Sequence, residues 1–74
     1  MTFNYSKLKG KIIELYGSQA NFCKYLGLSQ RSLSLKMNNK TFFSQDEITK
    51  CVTLLKIKHK DIPTYFFTEI VQLD

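Results

Sequence analysis

The chain has few of the residues from which catalytic and metal sites are built, since its 74 residues include one histidine, two cysteines and three glycines. Its acids are scattered, and it contains no glycine-rich phosphate loop. These gaps argue against an enzyme, because nucleophilic, acid–base and phosphate-transfer sites need such groups together at fixed spacings. No cysteine or histidine lies at metal-ligand spacing, so we expect neither a metal nor another cofactor.

Long hydrophobic runs are also missing. The apolar runs are only a few residues long, and no charged segment followed by an apolar one opens the sequence. We therefore expect no membrane span, no signal peptide and a cytoplasmic location. In that compartment Cys23 and Cys51, both on predicted apolar helix faces, are interpreted as reduced core residues, with a disulfide between them as the alternative.

The residues that are present favour one small domain over residues 1–74, with 43% hydrophobic and 14% aromatic side chains and a net charge of +5. The charge is uneven. Residues 1–40 carry seven basic groups against one acid, Glu14, whereas residues 41–74 carry four lysines against five acids. A phosphate-binding surface in the first half explains this distribution, and a solvated lysine-rich surface is the alternative.

The stretch from Ser18 to Asn38 predicts two short helices joined by a tight turn at Gly27. Ser18 and Ser29 are suited to cap the two helices, and Gly27 supplies the left-handed residue that ends the first. Leu28 lies where a hydrophobic staple would pair it with Leu33. The apolar positions fall on one face at helical spacing: Phe22, Cys23, Leu26, Leu33 and Met37.

The second of these helices has a polar outward face that suits the edges of DNA bases. Glutamine pairs with adenine, arginine with guanine, and an apolar side chain contacts a thymine methyl group. The residues that we expect to contact bases are Gln30, Arg31, Ser34 and Leu35. Phosphate contacts are expected from Gln19, Ser32, Lys36, Asn38, Lys40 and Thr41. For Gln19 the alternative is a plain solvent-exposed residue at a helix start.

This stretch resembles the helix-turn-helix of the phage lambda repressor and Cro family. The matching residues are Gln19, Cys23 where the family has alanine, the turn Gly27-Leu28-Ser29, Gln30, Leu33 and Asn38. Lys36 stands at an often apolar position, and Asn39 stands where many relatives have glycine. The resemblance covers residues 4–57 and implies an all-α fold, a five-helix lambda-repressor-like DNA-binding domain of the short Cro type. It also implies a transcription regulator of a phage or prophage, a repressor that binds a pseudo-palindromic operator in double-stranded DNA as a homodimer.

Two further helices flank this unit. The first is predicted from Asn4, its cap, to Gly17, with Tyr5, Leu8, Ile12, Leu15 and Tyr16 inward. Gly10 in its middle indicates either a close helix crossing or a close backbone approach. The other begins at a capping box from Ser44 to Glu47 and ends near Lys56, with Phe43 stapled to Ile48. For Phe42 we expect core burial.

A last short helix is predicted after Asp61, its cap, with Pro63 in the first turn. It has more aromatic residues than docking requires, so Tyr65, Phe66 and Phe67 form a candidate dimer or partner interface. The tail, residues 68–74, favours a short extended segment or strand that pairs with its copy in a second subunit, which adds Ile70 and Val71 to the interface. An unpinned tail is the alternative.

A second function remains open. Small phage proteins of similar outline, such as the modulator-of-repression proteins of lactococcal phages, act by binding the main repressor. Leu35 and the aromatic cluster would then belong to a protein interface. DNA binding that falls steeply with salt would favour the first interpretation, and a stable complex with the repressor, without an operator shift by this chain alone, would favour the second.

Overall fold

A computed structural model describes residues 2–70 of the chain, which contain five α-helices and one 3-10 turn. The helices are α1 (Ser6–Tyr16), α2 (Gln19–Leu26), α3 (Gln30–Met37), α4 (Gln45–Leu54) and α5 (Ile62–Phe66), with the 3-10 turn at His59–Asp61 before α5. The predicted all-α fold with five helices is thus confirmed. Val71 and residues 72–74, the rest of the predicted tail, lie outside the described residues.

Three serines cap helices as the sequence predicts. The side chains of Ser18 and Ser29 accept hydrogen bonds from the backbone N–H three residues on, at 3.0 Å in both cases. Ser44 forms the complete capping box, in which its hydroxyl accepts from the Glu47 N–H and its own N–H donates to the Glu47 carboxylate. Gly27 ends α2 in the left-handed region, with φ 82°. These caps set where the helices around the α2–α3 turn begin and end.

The core is formed where α2 packs against α1, α3 and α4. It includes every inward residue predicted for α2 and α3, together with Tyr5, Leu8 and Ile12 of the first segment and Cys51, Leu55, Ile57 and Phe66 from the later ones. Cys23 and Cys51 are both free and buried, as predicted for reduced core residues. Burial raises the pKa of the Cys51 thiol to about 12, so this thiol stays protonated in the folded chain.

Several first-helix predictions are corrected. Asn4, predicted to cap the helix, lies two residues before the helix starts at Ser6. Its side chain accepts a hydrogen bond from the Ser6 N–H. Leu15, predicted to face inward, is 43% exposed, because it lies on the face of α1 turned away from the neighbouring helices. Gly10 is exposed, and a Cβ placed on it would meet nothing within 4 Å among the described residues. A close helix crossing within the described chain therefore does not explain the glycine, and a close backbone approach by another molecule stays a prediction.

The aromatic predictions for the later segments are corrected as well. Phe66 is 2% exposed and belongs to the core, so its assignment to an interface is wrong. Phe42, expected in the core, is 72% exposed, because the adjacent Phe43 takes the inward place with edge-on contacts to Tyr5 and Phe66.

Two predicted helix ends are corrected too. Helix α4 ends at Leu54 and not near Lys56, and the side chain of Asp61 forms no capping hydrogen bond at the start of α5.

The segment after α5 pairs within its own chain. Phe3 and Glu69 form an antiparallel bridge, with the Asn4 N–H donating to Thr68 O at 2.7 Å and the Ile70 N–H donating to Thr2 O at 2.9 Å. Within the described chain the partner of this segment is thus the N-terminal arm, and pairing with the same segment of a second subunit stays a prediction. A pairing that needs no second chain forms at any protein concentration.

Candidate partner-binding surface on helix α3

Helix α3 is anchored from one side only. Leu33 is 0% and Met37 is 5% exposed, and both face the core beside α2. Because residues three and four apart share a face of an α-helix, this anchoring turns the remaining positions toward solvent. The helix contains no acidic residue. The result is an outward face that is polar and basic.

The first turn of α3 presents free side chains. Gln30 and Arg31 are both exposed, and within residues 2–70 neither side chain forms a hydrogen bond or an ion pair. Ser34 and Leu35, one turn further on, are exposed too. The structure therefore brings the four residues predicted to contact bases onto one accessible face, while the contacts themselves stay a prediction.

Lys36, predicted to contact phosphate, is engaged inside the chain. Its side chain is 13% exposed, and its ammonium Nζ lies 3.2 Å from Glu47 Oε1 and donates to the Phe42 carbonyl at 3.0 Å. The Ser44 N–H, and then Lys36, hold the pKa of the Glu47 carboxyl below its usual range, so Glu47 is a carboxylate at neutral pH. Lys36 therefore joins α3 to α4. Since its charge is already compensated by Glu47, it is less suited to bind a phosphate.

The two asparagines after α3 are also used locally. Asn38 donates from its amide to Ser34 O at 2.9 Å. Asn39 adopts φ 62°, the left-handed conformation expected where relatives have glycine. Its side chain accepts from the Phe3 N–H at 2.8 Å and donates to Phe3 O at 2.9 Å. Asn39 thus ties the N-terminal arm to the end of α3, a contact that sequence reasoning did not find.

The other predicted phosphate contacts are placed around α3 with different degrees of access. Gln19 and Ser32 are half-buried, and Ser32 uses its backbone N–H to satisfy the Ser29 cap. Lys40 and Thr41 are exposed, and their backbone N–H groups donate to Leu35 O at 2.8 and 3.3 Å. Lys40 and Arg31 are accordingly the exposed cations at the two ends of α3.

Phe42 is a candidate contact residue that sequence reasoning missed. It follows the loop that folds back onto Leu35, and its carbonyl is held by Lys36. A signal was present in the sequence, because the capping box at Ser44 assigns the inward staple to Phe43 and leaves Phe42 on the other side of the chain. Together, Arg31, Leu35, Lys40 and Phe42 are here called the α3 surface.

The predicted C-terminal interface is smaller than expected. Tyr65 is half-buried and Phe66 is in the core, so of the interface residues up to position 70 only Phe67 and Ile70 are well exposed, at 52% and 47%. The ring of Phe67 packs edge-on against Phe3 at 5.9 Å between ring centroids. Part of the apolar surface that suggested a partner is thus covered by the N-terminal arm.

Neither a metal site nor a membrane span is found in the described part of the chain. No group of three or more potential ligands among histidine, cysteine and the acids comes together within residues 2–70. None of the five helices is long and apolar enough to cross a membrane.

Comparison with known proteins identifies a family to which the chain belongs and a solved structure to which it is similar. The family model described as "Protein of unknown function (DUF739)" matches residues 1–69. The fold is similar to the solution structure of the modulator of repression (MOR) of the temperate bacteriophage TP901-1 from Lactococcus lactis, with a TM-score of 0.77. The two chains are 49% identical, and the match covers 90% of each. The chain has no significant match among curated proteins.

Proposed function

The chain belongs to the family described as "Protein of unknown function (DUF739)", and within that family we propose that it is a phage or prophage regulator that acts by binding the phage's main repressor. The observation that carries the proposal is the 49% identity to a phage modulator of repression over 90% of both chains. The proposed site of action is the cytoplasm, where a repressor works.

The α3 surface supports a protein partner. Binding to duplex DNA depends on several cations that neutralise phosphates, and each one adds to the salt dependence. Lys36 is removed from that role by Glu47, so α3 and its following loop offer Arg31 and Lys40. Leu35, one turn after Arg31, and Phe42, two residues after Lys40, are both exposed and are suited to an apolar protein contact.

The test is a direct binding measurement between this chain and the repressor encoded beside its gene. We expect a stable complex by size-exclusion chromatography and titration calorimetry, and release of the repressor from its operator when the chain is added. We also expect that the chain alone does not shift operator DNA. Absence of a complex at micromolar concentrations of both proteins would contradict the proposal.

Sequence-specific DNA binding is the second candidate, and the exposure of Gln30 and Arg31 favours it. In that case a homodimer would place two α3 helices in successive major grooves of a pseudo-palindromic operator. Arg31→Ala would then cost about 1–3 kcal/mol and relax preference at one base pair. Lys40→Ala would weaken binding to all duplexes alike and reduce the salt slope by about one unit. A gel shift across a salt series, with this chain alone, distinguishes the two candidates.

A further inference from the structure

We propose that Phe42 is the central anchor of the α3 surface and that it enters an apolar pocket bordered by carboxylates on the partner protein. The inference rests on the proposed function and specifies the chemistry of the repressor surface that this chain binds. It combines three features of the described residues: an aromatic side chain that is exposed, a loop that is fixed, and flanking cations that are free.

Exposure of Phe42 is not explained by a lack of room for apolar side chains in the fold. Its neighbour Phe43 packs against Tyr5 and Phe66 at 5.4 and 5.5 Å between ring centroids. Phe43 is thus the aromatic residue that this loop contributes to the core. Phe42 is left 72% exposed, the largest exposure among the large hydrophobic residues of the described chain. Aromatic side chains in such positions supply much of the energy of protein interfaces when a partner covers them.

The loop that carries Phe42 is fixed at both ends. On one side, the backbone N–H groups of Lys40 and Thr41 donate to Leu35 O, the carbonyl of the exposed leucine of α3. On the other side, Lys36 donates to Phe42 O at 3.0 Å and is itself held by Glu47 at 3.2 Å. A contact residue on a fixed backbone loses little conformational entropy on binding, which favours affinity.

The charges around Phe42 specify the partner. Lys40 lies two residues before it and Arg31 lies on the same helix as Leu35, and neither forms an ion pair within residues 2–70. Of the two acids in the first turn of α4, Glu47 is compensated by Lys36, whereas Asp46 is exposed and has no ion pair within residues 2–70. The two free cations outnumber this acid and leave the border basic on balance. An apolar centre with a basic border is complementary to an apolar pocket with an acidic border.

A protein surface fits these features better than duplex DNA. The phosphates would attract Lys40 and Arg31 but would offer no apolar cover to Phe42, and the paired bases of a duplex present no free ring faces for stacking. A thymine methyl group in the major groove would cover only part of the Phe42 ring. A partner with an apolar pocket covers the whole ring and binds the cations as well.

The experiment measures the affinity of the full-length chain for the repressor encoded beside its gene, by titration calorimetry. We expect Phe42→Ala to raise Kd at least tenfold and Phe42→Leu to raise it less than Phe42→Ala, because leucine retains an apolar side chain. The matched control is Tyr25→Ala, which removes another exposed aromatic side chain, 59% exposed on α2, and should change Kd less than threefold. Lys40→Glu should raise Kd about tenfold, and Lys60→Glu, on the 3-10 turn, less than threefold.

The outcomes separate the inference from the proposed function. If the unaltered chain binds the repressor but Phe42→Ala binds equally well, the anchor assignment is overturned while the function stands. Loss of binding in Phe67→Ala but not in Phe42→Ala would move the interface to the C-terminal segment. If Phe42→Ala lowers affinity for operator DNA and the chain forms no complex with the repressor, both proposals fall. Thermal unfolding of each variant within a few degrees of the unaltered chain shows that folding is retained.

Discussion

The two ends of helix α3 carry similar polar residues but use them differently. In the first turn, Gln30 and Arg31 extend into solvent without partners in the described chain. In the last turn and just beyond it, Lys36 binds Glu47 and the Phe42 carbonyl, and Asn39 binds the backbone of Phe3. The polar side chains of the first turn are therefore available to a ligand, whereas Lys36 and Asn39 at the other end are used to join parts of the domain.

The difference follows from what surrounds each end. At the start of α3 the side chains of Gln30 and Arg31 form no hydrogen bond or ion pair within residues 2–70, whereas its end meets the capping box of α4 and the N-terminal arm. A polar side chain with local hydrogen-bond partners gives up little by staying bound to them, and a charge already paired has less to gain from a phosphate. The residue type alone does not separate the two cases, since Arg31 and Lys36 are both cations of one helix.

The largest expected effect tests the anchor that both ends share. Leu33 is fully buried, so Leu33→Ala should lower the free energy of unfolding by about 2–5 kcal/mol. Leu35→Ala, on the outward side of the same helix, should change it by less than about 0.5 kcal/mol. Urea unfolding followed by circular dichroism measures both. Similar losses in the two variants would contradict the one-sided anchoring of α3.

A smaller effect tests the bound end at Asn39. Asn39→Ala removes both hydrogen bonds to Phe3 and places a less suited residue at φ 62°, so we expect a loss of about 1–3 kcal/mol in the free energy of unfolding. Asn39→Gly also removes both bonds but accepts the left-handed conformation, and should be less destabilising. Urea unfolding of both variants measures the comparison. An alanine variant as stable as the unaltered chain would show that the bonds to Phe3 do not stabilise the fold.

The next effect tests the Lys36–Glu47 pair through pH. The pKa of Glu47 is lower in the folded chain than its ordinary value of 4.5, mainly because the Ser44 N–H donates to the carboxylate and then because of Lys36. The stabilisation is therefore complete above that ordinary value and is lost as the pH falls through the folded pKa. Glu47→Gln should cost about 1 kcal/mol at pH 7 and much less in acid.

The measurement is urea unfolding at a series of pH values between neutral and acid. Asp46→Asn is the matched control, because Asp46 is an exposed acid in the same first turn of α4. A Glu47→Gln variant whose stability parallels that of the unaltered chain at every pH would contradict the role given to the pair.

The smallest effect on stability is expected at the free end. Gln30→Ala and Arg31→Ala should each leave the free energy of unfolding within about 0.5 kcal/mol of the unaltered chain, because neither side chain has a partner in the described structure. These variants should differ from the unaltered chain in their affinity for a ligand. Destabilisation by Arg31→Ala comparable to that by Asn39→Ala would remove the contrast between the two ends.

Local patterns in the sequence predicted the five helices and the three serine caps, but not the absence of side-chain caps by Asn4 and Asp61. Ser18, Ser29 and Ser44 were identified because each precedes an apolar periodic segment, and the capping box adds Glu47 at a fixed spacing. The inward residues of α2 and α3 followed from helical periodicity, which also predicted that Gln30 and Arg31 face outward. The left-handed conformation of Asn39 was predictable from its place after a helix.

Contacts between distant segments were beyond such patterns. The bonds between Asn39 and Phe3 join residues 36 apart in sequence, and the Lys36 pair depends on how α3 and α4 pack. Among neighbouring aromatic residues, periodicity alone did not decide which one enters the core. Phe66 is buried and Phe67 exposed, whereas Phe43 is inward and Phe42 outward. Only the staple rule at Ser44 carried that information for the second pair.

The bridge between Phe3 and Glu69 closes the chain into a loop of 66 peptide bonds. The backbone N–H groups of Asn4 and Ile70 donate the hydrogen bonds that hold it closed. Closing a loop of that size costs more chain entropy than any helix contact, so this fastening forms late during folding and opens early. Hydrogen exchange at those two amides would consequently report how often the loop opens while the helices remain intact.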